Sequence, residues 1–310
     1  MALPDEGESP TSVENCGIII CFISVKLRRT FKGVVRMIKQ LNITVLADDR
    51  VSGRGLLAEQ GFSCWVDTGD HQFLLDTGGG MVIHHNARLL NVPLHRAEAV
   101  ILSHGHDDHT GGLYSVLRLN PELRIGVHPK AFVPRYIEEE NRIVKNGFSS
   151  RFSLKSPHRL VLTESPTDFF PGVSATGTIP RAYNTDAANR NCYLDEAASV
   201  PDRFVDDQAV LIETLAGTVV LVGCCRSGLA NIMEYVADLT GRRSIYAIIG
   251  GLHLEHAATD TMENVLDMLF EFNVQMLGMA HCTGAEAEAV LRTKFSRHSF
   301  GISVGSRIRI

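Results

Sequence analysis

Residues 102 to 112 read LSHGHDDHTGG, which places His104, His106, Asp107, Asp108 and His109 in six consecutive positions. Neutral imidazole and carboxylate are the donors that zinc accepts, at roughly 2.0–2.2 Å. Iron and manganese take the same donors, so the residue types point to a divalent metal, zinc first, without excluding the other two. Spacing matters as much as type. His104 and His106 are two apart, so in an extended segment they project to the same side. Asp108 and His109 follow where the chain turns into a helix, and Gly111 and Gly112 let the backbone bend tightly around a small volume. Asp107 falls between the donor positions and is expected to face solvent or a neighbouring backbone amide. A solvated polar turn is the plainer alternative, but it does not need four ligand-type groups directly after an apolar run.

The rest of the chain must position that cluster. At 310 residues it is long enough for one large domain with a sizeable core. It is 45% hydrophobic and 21% charged, with a net charge of −5, which argues against a nucleic-acid-coating protein. The seven cysteines are odd in number and lack a CxxC pair, so a reducing, cytoplasmic setting is expected rather than a disulfide framework. The apolar run GIIICFISV is too short to span a bilayer, and acidic rather than basic residues precede it. Met37 opens MIKQLNITVLADD, which reads as the start of a compact domain on a strand, so residues 1–36 are expected to be an extension outside the fold, or to lie upstream of the true start, with the compact domain over 37–310. The expected partner is a small molecule, with no membrane or nucleic acid involved; the oligomeric state is left open.

Within that domain, short apolar runs alternate with helix-period stretches. ITVLADD, FSCWVDT and HQFLLDTG read as strands, the last two joined near Gly69-Asp70. MVIHHNARLLNV reads as a helix, EAVILSH and RIGVH as strands, and PKAFVPRYIEEENRIV as a helix broken early by Pro134. RLVLT and GVSATG are strands, and a loop is expected over 184–203. QAVLIET and GTVVLVGCC form a hairpin. The segments from LANIMEYVADLTG onward then alternate helix with strand and close on a last pair of strands. Antiparallel strands followed by interleaved helices, twice over, predict an α/β fold of two mixed sheets packed face to face.

SHGHDDHTGG resembles the HxHxDH signature of the metallo-β-lactamase superfamily, and FLLDTG before it is similar to that superfamily's first motif. The resemblance implies a four-layer αββα sandwich with the metals at one edge of the sheets. It implies a first metal held by His104 and His106 and a second by Asp108 and His109. Asp76 would orient a ligand loop by hydrogen bonding, with turn-capping as its alternative role. LLAEQGFSCWVD, ATGTIPR, DDQAVLI, VGCCRSGLANI, IIGGLHL and AHCTG resemble, in this order, one subfamily. It includes 7,8-dihydropterin-6-ylmethyl-4-(β-D-ribofuranosyl)aminobenzene 5′-phosphate synthase.

By the same resemblance, His281 in AHCTG would bind the second metal; helix capping or packing is its alternative. His253 is a ligand, a substrate contact or a structural histidine. Two departures stand out. ATGTIPR lacks the usual third-motif histidine, and Cys224 replaces the expected bridging aspartate, either as a thiolate ligand or as a buried apolar group. Where the subfamily commonly reads GCSH, this chain reads GCCR. Arg226 would disfavour a nearby cation and favour an anionic substrate, or else simply face solvent at a helix start. His128, Lys130 and Arg181 could steer a phosphate or carboxylate, or be plain surface residues; Asp206 and Asp207 could cap a hairpin or face the site.

These residues imply a metal-dependent hydrolase. It would use a metal-bound hydroxide on a small, phosphate-containing anion, with one or two ions and Asp108 moving a proton. The alternatives are a synthase-like transferase that releases pyrophosphate, and a metal-binding regulatory protein whose chemistry has eroded.

Overall fold

The computed structural model describes residues 37–148, 159–184, 189–296 and 299–310; the expected extension over 1–36 lies outside them. The first half runs β1 (Asn42–Ala47), β2 (Ser63–Asp67), β3 (Gln72–Leu75), α1 (Ile83–Leu89), β4 (Ala99–Ile101), α2 (Asp107–Thr110), α3 (Leu113–Leu119) and β5 (Arg124–Val127). The middle holds β6 (Tyr136–Glu139), β7 (Arg142–Lys145), β8 (Arg159–Leu162), β9 (Thr167–Phe170), β10 (Val173–Ala175) and β11 (Cys192–Tyr193). The second half runs β12 (Ala209–Thr214), β13 (Gly217–Cys224), α4 (Leu229–Thr240), β14 (Ala247–Gly251) and α5 (Thr259–Glu271). It ends with β15 (Met276–Ala280), α6 (Ala285–Lys294), β16 (Ser299–Gly301) and β17 (Arg307–Arg309).

Two seven-stranded sheets form, ordered β17-β1-β2-β3-β4-β5-β8 and β16-β15-β14-β13-β12-β10-β9. The two-residue period of a strand explains why they stack. In β13, Val219 and Leu221 point inward and pack with Ile43, Val45, Phe73 and Ile101 of the facing sheet. Their neighbours Val220 and Val222 point outward, against Ile232, Met233 and Val236 of α4 and Leu266 and Leu269 of α5. On the other sheet, Leu74 and Val100 face outward onto Ile83 of α1 and Val116 and Leu117 of α3. Each fully buried aliphatic side chain is worth about 1.5–3 kcal/mol, so both faces of both sheets drive assembly. The result is the four-layer αββα sandwich that the resemblance implied.

Two expectations are corrected. The segment read as a helix from Pro129 to Val144 is instead a short 3-10 turn followed by the β6–β7 hairpin. Glu140 and Asn141 link the strands with φ of 48° and 61°, the paired positive values of a tight hairpin turn. The helix-forming glutamates of YIEEENRIV masked this, because tertiary pairing with β11 in a third sheet outweighs local propensity. That β11 lies within the stretch expected to be a loop; 185–188 fall outside the described residues. The last pair of strands also separates. β16 pairs with β15 in one sheet and β17 with β1 in the other, so the C-terminus ties the two halves together. Among the described residues, no helix is long and apolar enough to cross a membrane.

Candidate metal centre

Strands β3, β4 and β5 are parallel, as are β13, β14 and β15. In such sheets, sites gather at the carboxyl ends of the strands, and the candidate residues follow that rule. Asp76 comes directly after β3, the HGHDDH cluster after β4, Cys224 ends β13, and His253 and His281 follow β14 and β15.

Asp76 is fully buried and uses both oxygens. Oδ1 accepts the Ser103 N–H at 2.7 Å, while Oδ2 accepts the Ser103 hydroxyl at 2.7 Å and lies 2.8 Å from His109 Nδ1. It thereby joins the start of the histidine cluster to its last ligand-type residue. Gly223 of β13 passes so close that a Cβ there would lie 2.3 Å from Asp76 Oδ2 and 2.1 Å from Ser103 Oγ. Only glycine fits.

The loop between His104 and His106 is pinned from beneath. The Gly105 N–H donates to Asp206 Oδ2 at 2.8 Å, and Arg135, 1% exposed, pairs with Asp206 and with Asp202 at 2.6 Å. His281 is held from the opposite sheet edge. Its N–H donates to Asp48 Oδ2 at 2.8 Å, and its Nδ1 lies 2.8 Å from Asp49 Oδ1. That leaves His281 Nε2 facing Asp108 Oδ2 at 3.4 Å, with His109 Nε2 3.6 Å from the same oxygen.

Asp108, His109 and His281 therefore converge, although His281 comes from a distant part of the chain. Cys224 joins them: donor atoms of His109, Cys224 and His281 all lie within 4.8 Å of one another. Cys224, His253 and Cys282 make a second such group, with the Cys224 and Cys282 sulfurs 2.8 Å apart. His104 and His106 lie alongside, their ring centroids 4.8 Å apart and His104 4.3 Å from His109.

The residues fit a divalent cation. His104 Nε2, Asp108 Oδ1 and His109 Nε2 are buried and have no hydrogen-bond partner; buried polar atoms are normally paired, and ligation is one explanation when they are not. The charge pattern agrees. Burial works against charge on His281, yet Cys282, Asp108 and Asp49 raise its pKa well above the usual imidazole range. Burial opposes the Asp108 carboxylate, but His109, His281 and His106 keep its pKa far below the ordinary carboxylate value. At the other end of the cluster the sign reverses. Burial, first, and then nearby positive groups including Arg226 hold His104 and His106 well below the usual imidazole pKa.

Arg226 does not face solvent; it is 8% exposed. Its Nη2 lies 3.3 Å from His106 Nδ1, its Nη1 3.4 Å from His253 Nε2 and 3.7 Å from Cys192 Sγ. The guanidinium stacks over Phe204 at 4.8 Å. His253 Nδ1 in turn lies 3.4 Å from Cys224 Sγ.

Other candidates are engaged elsewhere. His128 spends one ring nitrogen on Thr178 Oγ1 at 2.8 Å and the other on capping Lys130 N–H, while the Lys130 side chain is exposed. Arg181 donates to the carbonyls of Arg203 and Phe204. Asp207 accepts the Ser227 N–H at 2.6 Å. Asp107 is exposed, as expected. The sequence reading missed Arg135, Phe204, Cys282 and the Asp48–Asp49 pair. The acidic pair closing ITVLADD was a usable signal; Arg135 and Phe204 left none, because their neighbours come from remote segments.

The fold is of the metallo-β-lactamase type. Residues 57–181 match the model of the Metallo-beta-lactamase superfamily, in keeping with the resemblance of the motifs. The chain is 26% identical to 7,8-dihydropterin-6-methyl-4-(beta-D-ribofuranosyl)-aminobenzene-5'-phosphate synthase of Methanocaldococcus jannaschii over 232 residues, 72% of this chain and 79% of that one. It superimposes on a crystal structure of a metal-dependent hydrolase of the beta-lactamase superfamily with a TM-score of 0.73 and 27% identity. That match covers 87% of this chain and 99% of the other. A diphosphatase of the PhnP family shares the fold at a TM-score of 0.53 and 13% identity, over 86% of this chain and 97% of its own.

Proposed function

We propose that this chain is a metal-dependent hydrolase acting on a small, phosphate-containing anion. The observation that carries the reading is the convergence of Asp108, His109, His281 and Cys224, with buried Asp108 Oδ1 and His109 Nε2 left without hydrogen-bond partners. Zinc, iron or manganese would suit these donors. Held by these residues, an ion would supply a water acidified to a pKa of about 7 and Lewis-acid polarisation of a substrate oxygen.

The chain's own residues have separate tasks. Asp76 holds His109 with Nε2 turned inward, and Asp48 and Asp49 hold His281 likewise. Asp108 is kept ionised, which suits a ligand and proton acceptor but not a proton donor. Arg226 supports an anionic substrate. Its buried guanidinium forms no ion pair with a carboxylate among the described residues, and a buried charge gains most from an opposite charge.

A synthase-like transferase is the second reading, favoured by the similarity to the archaeal synthase over 79% of that protein's length. Elemental analysis of the purified chain beside a phosphodiester, lactone and thioester panel tests the first reading. Metal should co-purify, and Asp108→Ala should lose both metal and turnover. Pyrophosphate release from a pterin pyrophosphate that depends on an aminobenzene acceptor joined to the pterin, with no hydrolysis in the panel, would favour the synthase reading. Absence of transition metal from wild type would overturn both.

A further inference from the structure

The geometry points to a one-ion centre in which the Arg226 guanidinium takes the place of an ion at the His104–His106 end. The inference rests on the metal-binding reading above and specifies how many ions that site holds.

Three observations carry it. First, among the described residues the groups of three donors that could hold an ion are His109–Cys224–His281 and Cys224–His253–Cys282. Neither includes His104 or His106, so the unpartnered His104 Nε2 lacks two further donors close enough to hold an ion with it. Second, the lone pair that His106 Nδ1 could offer an ion faces Arg226 Nη2 at 3.3 Å, and that of His253 Nε2 faces Arg226 Nη1 at 3.4 Å. A guanidinium has donors and no acceptors, so both imidazole nitrogens act as acceptors toward it and are already engaged. Third, the guanidinium is fixed in place. Phe204 lies beneath it at 4.8 Å and edge-on to His106 at 5.0 Å, while the Asn189 amide holds the Arg226 carbonyl at 3.0 Å. A permanent positive charge packed against these imidazoles repels a second cation at close range.

The second three-donor group is compromised in the same way. With its Nε2 accepting from Arg226, His253 carries its proton on Nδ1, the atom 3.4 Å from Cys224 Sγ. It then donates to the sulfur and offers no lone pair on that side. The remaining group, His109–Cys224–His281 with Asp108 beside it, has donors aimed inward and no guanidinium among them. Cys224 is thus a ligand of the single ion, with sulfur that suits zinc or cobalt.

The test is a count of ions on the full chain, stripped of metal, equilibrated with zinc or cobalt salts alone and gel-filtered. Wild type should retain about one ion per chain, and Arg226→His, which supplies a donor in place of the cation, about two. Arg226→Lys keeps the charge and should stay at about one. The cobalt-loaded wild type should show a near-ultraviolet thiolate-to-cobalt band that Cys224→Ser abolishes. His106→Ala should keep its ion, whereas His281→Ala should lose it; this pair decides the matter if Arg226→His does not fold. Two tightly held ions in wild type, no gain in a folded Arg226→His, or loss of the ion in His106→Ala would each overturn the inference while leaving the metal-binding reading intact. A wild type that binds no ion would overturn the metal-binding reading itself, and this inference with it.

Discussion

Asp76 Oδ2 lies 2.8 Å from His109 Nδ1, and both side chains are fully buried. The contact settles which nitrogen of His109 faces the centre. With Nδ1 donating to the carboxylate, Nε2 keeps its lone pair, and that atom is the one without a hydrogen-bond partner.

Asp76→Asn should therefore weaken metal binding without dismantling the fold. An amide can present its N–H to Nδ1 and invert the tautomer. Loss of such an outer partner typically costs about 10–100-fold in metal affinity. Competition against a chromophoric chelator measures the change, and an affinity within twofold of wild type would remove Asp76 from this role.

Gly223 should tolerate no side chain. An alanine Cβ would press on Ser103 Oγ and Asp76 Oδ2 at 2.1 and 2.3 Å, and overpacking of this kind costs about 1–3 kcal/mol. Gly223→Ala is expected to lower both the urea midpoint and metal content. Gly241→Ala is the control. That residue caps α4 with φ of 70° and open space around it, so the change should cost about 1 kcal/mol and spare metal content.

Arg135 bridges Asp202 and Asp206 with all three side chains nearly buried, and Asp206 holds the Gly105 amide. Removing the guanidinium leaves two carboxylates uncompensated, a loss of about 3–5 kcal/mol. Arg135→Met should lower unfolding free energy by that amount in urea titrations. The Arg135→Met, Asp206→Asn double variant should recover part of it, since one of the stranded charges is gone.

Asp207 supplies a pH signature. Burial raises its pKa from 3.8 to about 8, despite the opposing Ser227 hydrogen bonds. The folded state then holds a proton that the unfolded chain releases near pH 4, so the contribution is fully present below about pH 4 and is lost as pH rises through about 8. The slope is at most about 1.4 kcal/mol per pH unit between those limits. Urea midpoints recorded from pH 5 to 9 should fall in wild type and fall less steeply in Asp207→Asn; parallel curves would show that Asp207 titrates normally.

Much of the centre was legible in the chain itself, and for a definite reason. His104, His106, Asp108 and His109 are sequence neighbours, so a strand end and one helical turn suffice to gather them; their chemistry is local. Strands such as GTVVLVGC announced themselves because both faces are buried, which demands an unbroken apolar run. The β6–β7 hairpin was not legible, because its glutamates favour a helix and only pairing with β11 and two positive φ angles reverse that choice. The partners of the cluster were likewise hidden. Arg226 and His106 are 120 residues apart, and His281 and Asp49 are 232 apart. The sequence could name Arg226 as a departure but not where its charge would rest. That was decided when the second sheet packed onto the first and brought the guanidinium against the imidazoles, because contacts between sheets depend on how the layers stack and not on any local preference of the chain.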